Sequence, residues 1–293
     1  MIIYTNSGKQ ISENRTFKPT PDYTNPSLIK VGIGANPVKI PSIADTGLTN
    51  EIPFGTFTTI DNCDSLTGWS AINGTISLNS SIRVDSTNAI DIQKTDAGDS
   101  NVRVSKGTLT SFNFTDSFLF WVYIDPTILS NLTFITFNIG QNLANSYYWT
   151  LPASSFLGGW NCVYGITVAN ATGSTGSPTP TGCVYFRLYL TTNQPTVVWS
   201  TNLVVLDAIN TYVPSTISTT NTISTANNTI TITSSLPANT FTTDSETWIV
   251  PLAEMGVFNT DSPKKIFDHS KFTTLSFDGL SDLNIEEQYI FNQ

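Results

Sequence analysis

The stretch SFLFWVYI, residues 117–124, is apolar at nearly every position. A β-strand points successive side chains to opposite faces, so a strand that is apolar throughout is expected to be buried on both faces. Other segments, such as TISLNSSIRV (75–84), NVRVSKGTL (101–109) and CVYFRLYL (183–190), largely alternate apolar and polar residues, and turn residues bound most of them. The sequence therefore predicts a two-sheet antiparallel β-sandwich with residues 117–124 near its centre.

The composition agrees with an all-β fold. Charged residues make up 12% of the 293 residues, about half the usual share, and Thr, Ser and Asn are abundant instead. Thr is β-branched and suits strands, whereas Ser and Asn compete with helices through local hydrogen bonds. The aromatic share of 11% indicates a packed interior. Since no segment longer than about ten residues has a helical period, we expect no long helix.

Charge excludes some functions. The chain has 13 basic and 22 acidic residues, a formal net charge of −9, so nucleic-acid binding is not expected. No apolar run approaches the roughly 20 residues that span a bilayer, so we expect no membrane insertion. The start, MIIYTNSGKQ, lacks the basic and apolar regions of a signal peptide. These features predict a protein made in the cytoplasm of a host cell and released without secretion.

Residues suited to catalysis are few. His269 is the only histidine, it lies in a charged stretch, and the chain contains no nucleophile elbow. No Glu lies within an apolar central strand, where burial would raise its pKa for proton donation to a glycosidic bond. The sequence therefore predicts that the protein is not an enzyme.

Three cysteines, Cys63, Cys162 and Cys183, have no C-x-x-C spacing, so a zinc site is not expected. Two interpretations remain open. All three are free, buried thiols, or the strands that carry Cys162 and Cys183 are neighbours and a disulfide joins them.

Two blocks resemble bacteriophage tail-collar fibre proteins and related virion proteins. The first is IKVGIGANPVKIPSIADTGLTNEI (residues 29–52), and the second is residues 253–277, which begin with AEMGVFN. The positions that match and form the predicted assembly motif are Gly32, Gly34, Asp45, Leu48, Glu51, Glu254, Gly256 and Phe258. In that family the two blocks usually lie close together. Here about 200 residues separate them.

This separation predicts an inserted domain. Residues 1–58 and 211–293 would form a discontinuous, β-rich base, and residues 59–210 would form an inserted sandwich. Insertion is tolerated where the two ends of the inserted domain lie close together at a surface. The resemblance implies that the base docks onto a virus particle.

The inserted part resembles jelly-roll carbohydrate-binding modules. The similarity lies in the pattern D-x-x-D-S-x-x-G-W that ends at Trp69, in GGWN (158–161) and in LDAI (206–209). The resemblance implies a jelly-roll sandwich with a structural calcium ion where its first and last strands meet. Asp61, Asp64 and Asp207 occupy matching places as calcium ligands. The alternative is that these are ordinary turn and strand-end residues.

Aromatic rings bind sugars by stacking on the apolar faces of pyranose rings. In NSYYWT (145–150) alternation turns Tyr148 away from Tyr147 and Trp149, so one face of this strand is a candidate glycan platform. Tyr189 and Trp199 are further aromatic candidates. Three other tryptophans, Trp69, Trp121 and Trp160, are predicted to be structural.

Together these features favour a bacteriophage virion protein of the tail, fibre, baseplate or head. Its base would bind other virion proteins and further copies of itself, in a trimer as in fibre-like relatives. Its displayed sandwich would bind host-surface glycans weakly. The alternatives are a stand-alone secreted carbohydrate-binding module and a capsid decoration protein with no ligand.

Overall fold

The computed structural model describes residues 2–17, 22–24, 28–32, 44, 46–49, 51–53, 55–113, 117–214, 222–226, 229–236, 250–261, 263–277 and 283–290. The strands are β1 (Ile2–Tyr4), β2 (Leu28–Gly32), β3 (Gly55–Asp61), β4 (Trp69–Ile72), β5 (Thr75–Asn79), β6 (Ala89–Gln93), β7 (Asn101–Lys106), β8 (Ser117–Ile124), β9 (Leu132–Asn142), β10 (Asn145–Pro152), β11 (Gly159–Ile166), β12 (Gly173–Thr175), β13 (Tyr185–Thr192), β14 (Val204–Pro214), β15 (Thr222–Ala226), β16 (Thr229–Leu236), β17 (Val250–Phe258), β18 (Ile266–Phe277) and β19 (Leu283–Ile290). The helices are α1 (Asn6–Phe17) and the single turn α2 (Pro126–Leu129), with short 3₁₀ turns at Ala153–Ser155 and Val168–Asn170. Every strand pairing between described residues is antiparallel, and strands far outnumber helices among these elements, which confirms the predicted all-β class.

The chain divides into two compact units. One contains the described residues of Gly55–Pro214, and the other contains the described residues before Gly55 and after Pro214. Strand β3 pairs with the second half of β14, from Asp61 opposite Ile209 to Gly55 opposite Pro214. The predicted boundaries, 59 and 210, would cut through this strand pair. The sandwich unit therefore extends four residues further at each end.

The sandwich unit has two sheets. The front sheet has the strand order β12-β10-β9-β13-β7-β4, and the back sheet has the order β11-β8-β14-β6-β5, with β3 also paired to β14. Strand β13 lies between β9 and β7, although these strands are far apart in sequence. This order brings side chains from three distant segments to neighbouring positions on one face.

Aromatic side chains fill the space between the sheets. Phe120 of the back sheet packs edge-on against Phe137 and Phe186 of the front sheet, at 5.1 and 5.4 Å between ring centroids. In β8, Phe118, Phe120, Val122 and Ile124 face this core, and Leu119 and Trp121 on the other side are 1% exposed. The prediction that this strand is buried on both faces is confirmed for residues 118–122 and 124, and Tyr123 is half-buried.

Trp69 closes the core at one end of the front sheet. Its side chain is 8% exposed and its ring lies 6.3 Å from that of Phe186. Gly68, just before it, has a φ of +80°, and a Cβ there would lie 2.5 Å from Thr108 Oγ1. Glycine is required here because it adopts a left-handed backbone conformation readily and has no Cβ to clash. Trp69 is therefore a core residue, as predicted.

Helix α1 corrects the expectation that the chain has no long helix. Its 12 residues are mostly polar, and within its described part Ile11 is the hydrophobic side chain that becomes buried. Tertiary contacts hold the helix in place. Thr5 Oγ1 accepts a hydrogen bond from the Gly8 N–H and donates to the Ile266 carbonyl in β18. A helix that depends on such contacts has little hydrophobic periodicity, so the sequence pattern does not reveal it.

The second unit contains two further sheets. A four-stranded sheet has the order β1-β18-β17-β2, and a three-stranded sheet has the order β15-β16-β19. The alternating run NTITITSSL is predicted to form a strand, and β16 (Thr229–Leu236) confirms this prediction. The thirteen residues 237–249 lie outside the described residues.

All three cysteines are free and buried. Cys162 lies in β11 of the back sheet, whereas Cys183 precedes β13 of the front sheet, so the strands are not neighbours and the disulfide interpretation is wrong. Burial raises the pKa of Cys63 and Cys162 well above the ordinary value, and that of Cys183 to about 11. The thiols therefore stay protonated at neutral pH.

We expect Ellman's reagent at pH 8 to detect no thiol in the native protein and three thiols after unfolding in guanidinium chloride. A thiolate is the reactive form, and burial suppresses it in the folded chain. Since the unfolded chain loses these protons near pH 9 and the folded chain keeps them, stability should fall as pH rises from 9 towards 11. One thiol after unfolding would instead indicate a disulfide.

Candidate functional site

The outer face of the front sheet carries polar and aromatic side chains at regular positions. In β13, Phe186, Leu188 and Leu190 point into the core, so Arg187 and Tyr189 point outward. Both outward residues are half-buried. The same alternation in β7 buries Val102 and Val104 and leaves Arg103 and Ser105 on the outer face.

The strand register arranges these outward side chains in rows across the sheet. One row consists of Tyr148, Asn138, Arg187, Ser105 and Ser70. The next row consists of Thr150, Thr136, Tyr189, Arg103 and Ile72. Neighbouring strands lie about 4.8 Å apart, so Tyr148 and Tyr189 are separated by roughly 10 Å across the sheet.

Hydrogen bonds hold Arg187 in position on this face. Its Nε and Nη2 atoms donate to Asn138 Oδ1 at 3.2 and 2.9 Å. Asn138 in turn donates from Nδ2 to Ser146 Oγ at 3.2 Å, and its side chain is 2% exposed. The guanidinium is thus oriented before any ligand arrives.

Tyr189 lies beside two guanidinium groups. The Cζ atom of Arg103 is 4.9 Å from the centroid of the Tyr189 ring, and that of Arg187 is 5.7 Å away. Both distances are within the range of cation–π attraction. Arg103 is also held by Asn101, whose Oδ1 accepts a hydrogen bond from Arg103 Nε at 3.0 Å.

The pKa of Arg187 is lowered from its ordinary value. Burial is the largest cause, and the neighbouring positive charge of Arg103 acts in the same direction. Arginine nevertheless remains charged in proteins. The outer face therefore carries two positive charges that are partly shielded from water. The electrostatic attraction between these charges and an anion or a polar ligand is stronger there than in bulk water.

The aromatic trio predicted from NSYYWT divides between the two faces. Tyr148 lies on the outer face. Trp149 is 3% exposed, its ring stacks on that of Phe137 at 5.3 Å, and its Nε1 donates to Asn170 Oδ1. Tyr147 packs against the core and donates its hydroxyl to the Pro178 carbonyl. As a surface for a ligand, the trio therefore reduces to Tyr148.

Arg103, Arg187 and Asn138 are candidate site residues that sequence reasoning missed. Each occupies a polar position in an alternating strand, in NVRVSK, YFRLYLTT and LTFITFNIG. One sequence signal could have identified the two arginines. Each is a charged residue at a polar position of an alternating strand, in a chain that has few charged residues. Of the further aromatic candidates, Tyr189 lies on the outer face, whereas Trp199 is 2% exposed.

The predicted calcium ligands do not form one site. Asp61 Oδ2 pairs with Lys106 Nζ at 2.6 Å, and Asp64 Oδ1 accepts hydrogen bonds from Thr87 and Asn88. Asp207 Oδ2 accepts from the Val84 and Asp85 N–H groups.

Oxygens that already face N–H and ammonium donors are poor ligands for a cation. Among the described residues no group of three or more His, Cys, Asp or Glu side chains could hold a metal ion. The residues therefore do not fit the calcium site that the resemblance implied. Burial raises the pKa of Asp207 well above its ordinary value, although the N–H donors oppose this.

The second unit brings the two motif blocks together. Strands β2 and β17 pair, with Gly32 opposite Glu254 and Leu28 opposite Phe258. Glu254 Oε2 accepts a hydrogen bond from the Thr49 N–H at 3.1 Å. Glu254 is 2% exposed and lies within the inner strand β17, so the expectation that no Glu lies within an apolar central strand is wrong.

Other motif residues support the same arrangement. Glu51 forms an ion pair with Lys30 and a β-bridge with Gly32. Gly256 lies opposite Lys30 in the β2–β17 pair, and Leu48 is half-buried. Gly34 and Asp45 lie outside the described residues. None of the helices in the described part of the chain is long and apolar enough to span a membrane.

No protein-family model matches the chain, and no curated protein matches it. Among solved structures, it is similar to an exo-β-agarase, with 9% identity and a TM-score of 0.39 over 55% of this chain and 25% of the agarase. It is similar to the family 11 carbohydrate-binding module from Clostridium thermocellum in complex with a β-1,3-1,4-mixed-linked tetrasaccharide, with 11% identity and a TM-score of 0.38 over 54% of this chain and 96% of that module. A third is a xylan-binding domain of family 22, with 12% identity and a TM-score of 0.31 over 56% and 98% of the two chains. The chain thus spans about a quarter of the agarase's length.

Proposed function

We propose that the outer face of the front sheet binds a glycan. The observation that carries this proposal is the set of half-buried rings, Tyr148 and Tyr189, on the same face as oriented hydrogen-bonding groups. Pyranose rings offer apolar C–H faces to aromatic side chains and hydroxyl groups to amides, guanidinium groups and hydroxyls. Binding sites typically combine these two kinds of contact.

The proposed activity is binding without catalysis. Arg187 and Asn138 are held in place by their mutual hydrogen bonds. Little conformational entropy is therefore lost when a sugar hydroxyl replaces water at the Arg187 guanidinium, which the buried Asn138 orients. Single-site affinity would be weak, and several copies on one object would raise the overall avidity.

Replacing Tyr189 with alanine should weaken glycan binding at least about tenfold, since truncating an aromatic anchor usually costs more than about 1.4 kcal/mol. The full-length chain is screened on a glycan array, and the oligosaccharide with the strongest signal is titrated by calorimetry. Tyr164→Ala is the matched control, because Tyr164 lies in β11 of the back sheet and is 39% exposed.

Two results would overturn the proposal. One is an array without any signal above background. The other is equal weakening by Tyr189→Ala and Tyr164→Ala, which would place the binding surface elsewhere. Near-ultraviolet circular dichroism of both variants checks that each retains its tertiary packing.

We further propose that the second unit docks this protein onto a bacteriophage particle, with other virion proteins and further copies of the chain as partners. The support is the resemblance of the two sequence blocks to tail-collar fibre proteins. The pairing of Leu28–Gly32 with Val250–Phe258 is consistent with the two blocks acting as one docking element. The stand-alone secreted module and the ligand-free capsid decoration protein are the alternatives.

Immunogold electron microscopy of particles purified from a producing lysate tests the docking proposal. An antibody against the sandwich should label tail tips or fibres. Label spread over the head together with an empty glycan array would favour the decoration protein. Bare particles beside free protein would favour the stand-alone module.

A further inference from the structure

Charge is distributed unequally between the two sheets of the sandwich. The six strands of the front sheet contain Arg103, Lys106 and Arg187 and no Asp or Glu. The strands of the back sheet, with β3, contain Asp61, Asp91 and Asp207 and no Lys or Arg. In a chain with a net charge of −9, a sheet free of carboxylates is unexpected from composition alone.

One of the three front-sheet cations is neutralised. Lys106 Nζ lies 2.6 Å from Asp61 Oδ2, and both side chains are largely buried. Within the described part of the chain, neither Arg103 nor Arg187 pairs with a carboxylate. Their acceptors are the neutral side-chain oxygens of Asn101 and Asn138.

Both guanidinium groups keep donors for a ligand. A guanidinium has five N–H donors in a planar fork. Arg103 uses Nε, and Arg187 uses Nε and Nη2, in the hydrogen bonds formed with described residues. The remaining N–H groups suit the two oxygens of a carboxylate or a sulfate, which arginine binds in a bidentate manner.

We propose that the glycan bound by this face carries an anionic substituent, a carboxylate or a sulfate, that Arg103 and Arg187 hold beside Tyr189. This inference rests on the proposed glycan-binding function. The two guanidinium groups repel each other, and an anion between or above them relieves that repulsion. Tyr189 lies beside both guanidinium groups, so an anion that they hold brings the sugar ring that bears it next to this aromatic side chain.

Titration of the full-length chain with three oligosaccharides tests the inference. An oligogalacturonide supplies carboxylates, a sulfated galactan oligosaccharide supplies sulfates, and a neutral galactan oligosaccharide supplies neither. We expect at least one acidic probe to bind at least about tenfold more tightly than the neutral one, because hydrogen bonds between a guanidinium and an anion are roughly twice as strong as hydrogen bonds between neutral groups. Comparison of the two acidic probes distinguishes carboxylate from sulfate.

The arginines are tested by Arg103→Gln and Arg187→Gln. Each should weaken the acidic probe about tenfold or more and weaken the neutral probe by a clearly smaller factor, because a hydrogen bond to a neutral hydroxyl is weaker than one to an anion. Arg103→Lys and Arg187→Lys keep the charge but lose the fork, so they should recover part of the affinity. Arg83→Gln, which removes one positive charge outside this face, is the matched control.

The results distinguish a failure of the anion inference from a failure of the proposed glycan binding. If the neutral probe binds as tightly as both acidic probes, and neither Arg→Gln variant matters while Tyr189→Ala still weakens binding, the anion inference is wrong and glycan binding stands. If neither the three probes nor a glycan array gives any binding, both proposals fail. If Arg83→Gln weakens binding as much as the other two variants, long-range charge and not this face explains the preference.

Discussion

Replacing Lys94 with methionine is expected to lower the free energy of unfolding of the sandwich by about 3 kcal/mol. Lys94 is fully buried, and its Nζ donates to the backbone carbonyls of Asp96, Pro195 and Val197. Its own carbonyl accepts from the Trp199 N–H. One ammonium group therefore ties the β6–β7 connection to the β13–β14 connection. Methionine keeps the length of the side chain but leaves three carbonyls without this donor.

Urea unfolding followed by tryptophan fluorescence measures this effect, since five of the six tryptophans lie between residues 55 and 214. Lys9→Met, at an exposed position on α1, is the control for loss of a lysine charge. A Lys94→Met protein as stable as the unmodified chain would show that desolvation of the ammonium cancels its three hydrogen bonds.

Replacing Glu254 with alanine should destabilise the second unit by about 3–5 kcal/mol. Glu254 Oε2 lies 2.9 Å from His269 Nε2, and both side chains are almost completely buried. The same oxygen accepts from the Thr49 N–H. Alanine removes the acceptor from both partners and leaves a cavity, so the pairing of β17 with β18 and β2 loses a central contact.

Hydrogen exchange resolves this effect within the chain. Protection of amides in β17 and β18 should fall by about two to four powers of ten in Glu254→Ala, whereas amides in the sandwich serve as an internal reference. Glu254→Gln keeps a hydrogen-bonding side chain of the same size and should lose less protection. Equal protection in all three proteins would mean that this pair contributes no net stability.

Much of the sandwich could be predicted from single strands. Alternation in TISLNSSIRV, NVRVSKGTL and CVYFRLYL predicted strands, and the apolar run at residues 117–124 predicted burial on both faces. These predictions depend only on the two-residue period of a strand, which each segment displays by itself. Helix α1 was missed because contacts with β18, and not its own periodicity, hold it in place.

The candidate binding face could be predicted only in part. Alternation predicted that Tyr148 lies on the opposite face of its strand from Tyr147 and Trp149, but it did not predict which of the two faces is turned towards the core. That choice depends on how β10 pairs with β9 and on the second sheet, and reversing it would exchange every side chain on the strand. The predicted calcium site did not fit for a similar reason. Backbone N–H groups that are distant in sequence donate hydrogen bonds to the carboxylate oxygens of Asp64 and Asp207, and local patterns do not reveal such contacts.

By itself, the sequence determined the all-β class, the strands of the sandwich and the burial of Trp69 and Trp121, because each depends on local periodicity and apolar character. Only the tertiary structure decided that Arg103, Asn138, Arg187 and Tyr189 share one face. These residues come from three strands, and β13 lies between β7 and β9 through hydrogen bonds that join segments far apart along the chain. A cross-strand neighbour is a property of register and topology, which local sequence patterns do not contain.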